Sequence, residues 1–166
     1  SAGVILITAA GHRSAQLQPY LARGVEVVQV NRHGEGLDLR EALAESLQQY
    51  KGIHYDPEGE IMATAGGQEA MYISLQAFLN PGDEVLVPDP GYTQFYSCVK
   101  LAGGVPVALP LLAHENFVPD LSAARELLTD RTRALIVNSP HNPTGAVLKK
   151  EDMEEIAKIA VEHNLW

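Results

Sequence analysis

The chain has 166 residues, of which 46% are hydrophobic and 20% are charged, a composition typical of one globular domain. Its formal net charge of −9 argues against a nucleic-acid partner, because binding phosphates requires a basic face. No apolar run approaches the ~20 residues of a membrane span, and the first residues lack a basic leader. Cys98 is the only cysteine, so an internal disulfide is excluded and a reducing cytoplasm is the expected compartment.

Short β-rich runs alternate with amphipathic stretches, which predicts an α/β fold in which a layered, parallel-rich sheet has helices on both faces. The predicted strands comprise residues 4–8, 25–30, 61–64, 84–87, 105–109 and 134–137. The predicted helices comprise residues 13–22, 37–50, 68–79, 92–101, 121–128 and 150–163. Turn residues at positions 80–83 and a capping carboxylate at Asp120 support these boundaries.

A glycine pair follows the third predicted strand, within the sequence Ala-Thr-Ala-Gly-Gly-Gln-Glu-Ala at residues 63–70. Glycines let backbone amides approach an anion closely, and the N-terminus of the following helix adds about half a positive charge. Gly66, Gly67 and Gln68 are therefore candidate ligands of a phosphate group. Taken alone, the segment also fits a tight turn that binds nothing, and it has neither a G-x-G-x-x-G pattern nor a Walker lysine.

A second motif, Pro-Asp-Pro-Gly-Tyr at residues 88–92, follows the next predicted strand. It places Tyr92 beyond the strand end, where an aromatic face can stack on a planar heteroaromatic ring. Taken alone, Tyr92 also fits an ordinary core or surface aromatic residue.

A third motif, Asn-Ser-Pro-His-Asn-Pro-Thr-Gly at residues 138–145, ends the last predicted strand. It displays Asn142, whose carboxamide can hydrogen-bond a ring substituent or a carboxylate, although an ordinary proline turn also fits. Open α/β sheets bind ligands at the carboxyl ends of their strands, so we expect Gly66, Asp89 and Asn142 near one edge of the sheet.

The three motifs, in this order, resemble those of fold type I pyridoxal-phosphate (PLP) enzymes, the class I/II aminotransferases of the aspartate aminotransferase superfamily. Gly-Leu-Asp-Leu-Arg at residues 36–40 and Asn-Pro-Gly-Asp-Glu-Val at residues 80–85 are similar to further stretches of that family. The resemblance covers residues 34–166 and implies part of the PLP-binding large domain.

The resemblance also implies roles for particular residues. Gly66, Gly67 and Gln68 would offer backbone amides to the PLP phosphate, and Tyr92 would stack on the pyridine ring. Asn142 would bond the phenolic oxygen of the ring and help to hold the substrate carboxylate. The implied substrates are an amino acid and a 2-oxo acid, and a homodimer is compatible with the family.

The chain departs from the family pattern in its catalytic groups. In the family, the lysine that binds PLP covalently and the aspartate at the pyridine nitrogen both follow the Asn-Pro-Thr-Gly motif. None of the five lysines here, at positions 51, 100, 149, 150 and 158, has the family's Ser-x-x-Lys setting, and we predict that all of them are solvated. We therefore assign no catalytic residue and no metal site, and we expect a truncated or recombined cofactor domain that is inactive on its own.

The segment of residues 1–33 has the pattern of a βαβ unit that the resemblance does not place, so we divide the chain into residues 1–33 and 34–166. In the family's sheet, strands that come later in the sequence lie between those predicted here. Without them, the strands at 61–64 and 134–137 need new neighbours, which the N-terminal strands can supply. One alternative is a non-catalytic engineered α/β domain built from an aminotransferase fragment, with at most weak phosphate or PLP binding. Another is a dinucleotide-binding domain that uses residues 8–12 or 65–68, although an acidic ribose partner is lacking.

Overall fold

The computed structural model describes residues 6–8, 26–29 and 37–166. The chain forms two compact units, one within Gly3–Ser74 and the other comprising Leu75–Trp166. Each unit is an α/β arrangement of parallel strands and helices. Among the described helices, none has both the length and the apolar character needed to cross a bilayer.

In the first unit, the strands pair in the order β1-β2-β3. These strands are β1 (Leu6–Thr8), β2 (Glu26–Gln29) and β3 (Ala63–Thr64). All pairs are parallel, and β2 is joined to β3 through the partners Val28 and Ala63, and Gln29 and Thr64. Helix α1 (Leu37–Lys51) precedes β3, and helix α2 (Gly67–Phe78) follows it, with its residues from Leu75 onward counted in the second unit. The N-terminal strands thus supply a neighbour for β3, while the helix predicted at residues 13–22 lies outside the described residues.

In the second unit, the strands pair in the order β5-β4-β6, again in parallel. The elements are β4 (Glu84–Asp89), α3 (Gln94–Leu101), β5 (Val105–Pro110), α4 (Leu121–Glu126), β6 (Thr132–Leu135) and α5 (Lys150–Glu162). A 3₁₀ turn, Ala113–Glu115, follows β5. Helix α3 packs on β4 and β5, and α4 packs on α5.

Strand β4 is the centre of the second unit because its sequence is apolar on both faces. Val85, Leu86 and Val87 are completely buried, which is the pattern of a parallel strand covered on both sides. Helix α5 has the opposite pattern, since Met153, Ile156 and Ala160 are buried while its charged residues lie on the other face. The helix therefore packs its apolar face inward and leaves its charged residues towards solvent.

The predicted turns and caps are also found. Asp83 donates its backbone N–H to the carbonyl of Asn80 at 3.0 Å, and the Asp83 carboxylate accepts the Asn80 N–H at 2.8 Å. Asp120 caps α4 by accepting the N–H groups of Ser122 and Ala123 at 2.9 and 3.3 Å. Hydrogen bonds from Ser122 and then from the backbone lower the pKa of the Asp120 carboxyl. The capping carboxylate expected from the sequence is thus present.

Strand β6 was predicted at residues 134–137 but is found at Thr132–Leu135. The strand lies earlier than the apolar run because its position is set by pairing with the start of β4, where Glu84 is the partner of Thr132. On the other edge of β6, Trp166 donates to the carbonyl of Arg133 at 2.9 Å and accepts from the N–H of Leu135 at 3.0 Å. Strand β6 is therefore paired on both edges, but by β4 and Trp166; the expectation that the N-terminal strands would supply its neighbours is wrong, since those strands pair in the other sheet.

Candidate functional site

The turn between β3 and α2 is the candidate phosphate site. Gly66 has φ +153°, a backbone conformation that L side chains rarely adopt, and a Cβ atom there would meet none of the described residues within 4 Å. Among these residues, nothing blocks the approach of a ligand to this glycine. Helix α2 begins at Gly67, so the positive end of its dipole lies at this turn, where an anion is stabilised.

A carboxylate already occupies part of this turn. Glu69 reaches back from the first turn of α2 and accepts the N–H of Ala65 at 2.5 Å. The hydroxyl of Thr64 donates to the carbonyl of Gly66 at 3.0 Å, which fixes the turn from the strand side. The donor set fits a phosphate at Gly66, Gly67 and Gln68, but the negative charge of Glu69 opposes a second anion.

Tyr92 follows β4 in the second unit. Its side chain is 40% exposed, and its ring packs against Phe95 at 5.7 Å between centroids and 83° between planes. The preceding residue must be glycine, because a Cβ at Gly91 would lie 2.2 Å from the carbonyl oxygen of Pro88. This tight turn leaves Tyr92 at the carboxyl end of β4 with an accessible ring.

Asn142 lies in the loop that follows β6, and its side chain is exposed. Its backbone N–H donates to the side-chain oxygen of Asn138 at 2.8 Å. The hydroxyl of Ser139 accepts the N–H of Leu148 at 3.0 Å, which ties the two ends of the loop together. The peptide bonds before Pro140 and Pro143 are cis. The loop is thus internally bonded around an outward-facing carboxamide.

Tyr92 and Asn142 share one edge of the second sheet. Each follows the carboxyl end of its strand, and these strands, β4 and β6, are parallel neighbours. This is the edge at which α/β sheets bind ligands. Asp89 is the last residue of β4 and lies at the same edge. Burial is the larger cause that raises the pKa of Tyr96, and the charge of Asp89 is the second. Gly66 belongs to the first unit, so its placement beside these residues stays a prediction.

His141 is a residue that the sequence reasoning passed over. It is only 6% exposed, and burial lowers the pKa of its imidazole from the ordinary value of 6.5. Its position between Pro140 and Asn142, in a segment otherwise typical of a surface turn, gave no signal of burial.

The lysines whose side chains are described are all exposed, as predicted: Lys100, Lys149, Lys150 and Lys158. Lys158 pairs with Glu155 at 3.1 Å and Lys150 with Glu154 at 3.6 Å, both on the surface of α5. The side chain of Lys51 lies outside the described set.

Comparison with known proteins identifies the family. The model described as "Aminotransferase class I and II" matches residues 30–166. An aspartate aminotransferase of Pyrococcus abyssi is 47% identical over 128 residues, which are 77% of this chain and 33% of that protein. An aspartate/prephenate aminotransferase of Thermus thermophilus is 47% identical over 129 residues, covering 78% of this chain and 33% of that protein.

A solved structure has the same fold. The aromatic aminotransferase from Pyrococcus horikoshii OT3 matches with a TM-score of 0.75 and 46% identity, over 81% of this chain and 37% of that one. The chain therefore belongs to the class I and II aminotransferase family and has its α/β fold with parallel strands. It spans about one third of the length of the curated relatives that it matches.

Proposed function

We propose that this chain is a cofactor-binding portion of a PLP-dependent aminotransferase, an enzyme that moves an amino group between an amino acid and a 2-oxo acid. The observation that supports this most strongly is the position of Tyr92 and Asn142 after adjacent parallel strands, in a chain of the aminotransferase family. A cytoplasmic location and a homodimer are part of the proposal.

In this proposal, the residues of the chain bind and orient the cofactor. The backbone amides of Gly66, Gly67 and Gln68 hold the phosphate at the N-terminus of α2, where the helix dipole adds to the hydrogen bonds. Tyr92 offers its exposed ring to the pyridine, and Asn142 donates or accepts a hydrogen bond at the ring's phenolic oxygen. When bound, PLP supplies an electrophilic aldehyde and a ring that withdraws electrons.

A titration with PLP tests this function. The amide signals of Gly66 to Gln68, the ring signals of Tyr92 and the side-chain amide of Asn142 should all shift in NMR spectra on adding PLP. Pyridoxal without its phosphate, the matched control ligand, should shift Tyr92 and Asn142 but not the amides at the start of α2. Shifts confined to other residues would contradict the proposed site.

We further propose that this polypeptide has no transaminase activity of its own. The described lysines are solvent-exposed, and two of them pair with glutamates on α5, which supports the absence of a covalent PLP site. With PLP, an amino acid and a 2-oxo acid, we expect no conversion above that of free PLP. Activity that disappears when one of the five lysines is changed to alanine would show that this lysine had been misjudged.

The alternative, a non-catalytic α/β domain with weak phosphate affinity, has one observation in its favour. Strands β1 and β2 precede residue 30, where the family match begins, yet β2 is the neighbour of β3. A segment outside the family match thus completes the sheet around the candidate phosphate turn. Weak binding of inorganic phosphate at Gly66 to Gln68, with no shifts at Tyr92 or Asn142 on adding PLP, would favour this alternative.

A further inference from the structure

His141 is a buried polar residue of the loop that carries Asn142. Its exposed fraction is 6%, whereas Asn142 and Pro143, which follow it directly, are exposed. A buried residue within an exposed loop can anchor that loop. The contacts of the His141 imidazole and backbone show which parts of the loop it holds.

Three hydrogen bonds tie His141 to the second half of the loop. Its Nδ1 atom lies 2.8 Å from the hydroxyl oxygen of Thr144. Its backbone N–H donates to the carbonyl of Ala146, and its own carbonyl accepts the N–H of Gly145, both at 2.7 Å. Asn142 lies within the ring of bonds that these contacts close, so a displacement of His141 displaces Asn142.

His141 also lines a cavity of about 30 Å³ within the second unit. Its walls come from β4, β5, β6 and α5 and include Pro88, Leu109, Phe117, Leu135, Leu148 and Ile156. Apart from His141, the only polar residue among those lining the cavity is Asn138, and none of the other lining residues is titratable. The Nε2 atom is buried and, among the described residues, has no hydrogen-bond partner.

We propose that His141 is a positioning residue that fixes the Asn142 loop only while its imidazole is neutral, so that acid releases Asn142 from its cofactor-binding position. The effect on cofactor binding rests on the proposed function; the effect on the loop does not. Protonation would place a charge among apolar walls, with both ring nitrogens as donors and no acceptor at Nε2. Moving from the cavity into water stabilises the charged ring. This movement breaks the hydrogen bonds that the backbone of His141 makes within the loop.

The first experiment observes the loop without any cofactor. NMR spectra of the isotopically labelled chain should show one titration, below the ordinary histidine pKa of 6.5, shared by the His141 imidazole and the amides of Asn142, Thr144 and Gly145. His141→Asn keeps a group that can bond Thr144 but does not titrate, so its loop amides should keep the neutral-form positions at every pH. His141→Ala should show displaced loop amides at every pH. Loop amides that do not follow the imidazole, or a His141→Asn variant that titrates like the original chain, would overturn the proposal.

The second experiment connects the loop to the cofactor. Between pH 7.5 and pH 5, the affinity for PLP measured at Asn142 should fall about tenfold more in the original chain than in His141→Asn. This factor is equivalent to ~1.4 kcal/mol. The variant serves as the control because PLP's own phosphate also titrates in this range. If the loop titrates as expected but PLP binds elsewhere in both chains, the proposed function fails and the positioning role of His141 stands. Equal pH dependence of PLP binding in the two chains would overturn the link to the cofactor.

Discussion

Replacing Glu84 with glutamine is expected to lower the free energy of unfolding of the second unit by about 1–3 kcal/mol at pH 7. Glu84 is only 5% exposed, and its carboxylate accepts from the Arg131 Nε at 2.9 Å and from the Thr129 hydroxyl at 2.6 Å. Glutamine removes the charge and turns an amide N–H₂ towards one of these donors. The loss stays below that of a fully buried ion pair because the Arg131 side chain is 72% exposed.

Urea unfolding followed by circular dichroism measures this change, provided that the slope with denaturant is unaltered. Glu155→Gln is the matched control, since Glu155 also pairs with an arginine, Arg125 at 2.8 Å, but both side chains are 36% exposed. The control should cost at most about 1 kcal/mol. Equal losses in the two variants would mean that the burial of Glu84 contributes nothing.

The same carboxylate predicts how stability depends on pH. The hydrogen bond from Thr129, and then that from Arg131, holds the pKa of Glu84 below its ordinary value of 4.5. Its contribution is therefore complete above the pKa of the unfolded chain and is lost as the pH falls through the lower pKa of the folded state. Glu84→Gln should lose less stability than the original chain when both are taken from pH 5 towards pH 2. Parallel curves would contradict this assignment.

Replacing Gly67 with valine is expected to abolish phosphate binding at the start of α2. A β-branched side chain at the first position of the helix blocks the approach of an anion to the backbone amides. Binding to the unaltered turn should itself be weak, in the millimolar range or above, since each anion contact at a helix end contributes ~0.3–1 kcal/mol at an exposed site. NMR titration with inorganic phosphate detects affinities of this order.

Glu69→Gln is the control for this experiment. A glutamine oxygen can still accept the N–H of Ala65, but the negative charge that opposes an anion is gone. Phosphate should therefore bind to this variant as well as, or a few times more tightly than, to the original chain. Unchanged phosphate affinity in Gly67→Val, with a preserved fold, would show that the anion binds elsewhere.

The elements that were predicted well are those whose sequence fixes them locally. Helix α5 has its apolar residues at helical spacing, β4 is a continuous apolar run between turn residues, and Asp120 stands directly before α4. These patterns depend on neighbours in the chain. The family motifs could also be recognised from the sequence, because each is a contiguous stretch of residues within the aminotransferase match.

What the sequence did not reveal depends on residues far apart in the chain. The shift of β6 follows from its register with β4, where Glu84 binds Thr129 and Arg131. Strand pairing of this kind is set by packing and not by the local pattern. Burial of His141 likewise depends on a cavity whose walls come from several elements. The local sequence around residue 141 therefore does not predict it.

Cys98 makes the second unit suitable for a labelling measurement that needs no engineered probe. It is the only thiol in the chain, is 1% exposed on α3, and has its pKa raised by burial. A maleimide can react with it only during excursions in which α3 separates from β4 and β5, because the thiolate is both shielded and scarce in the closed state. The ratio of its alkylation rate to that of an unfolded peptide therefore gives the opening equilibrium of this unit under native conditions.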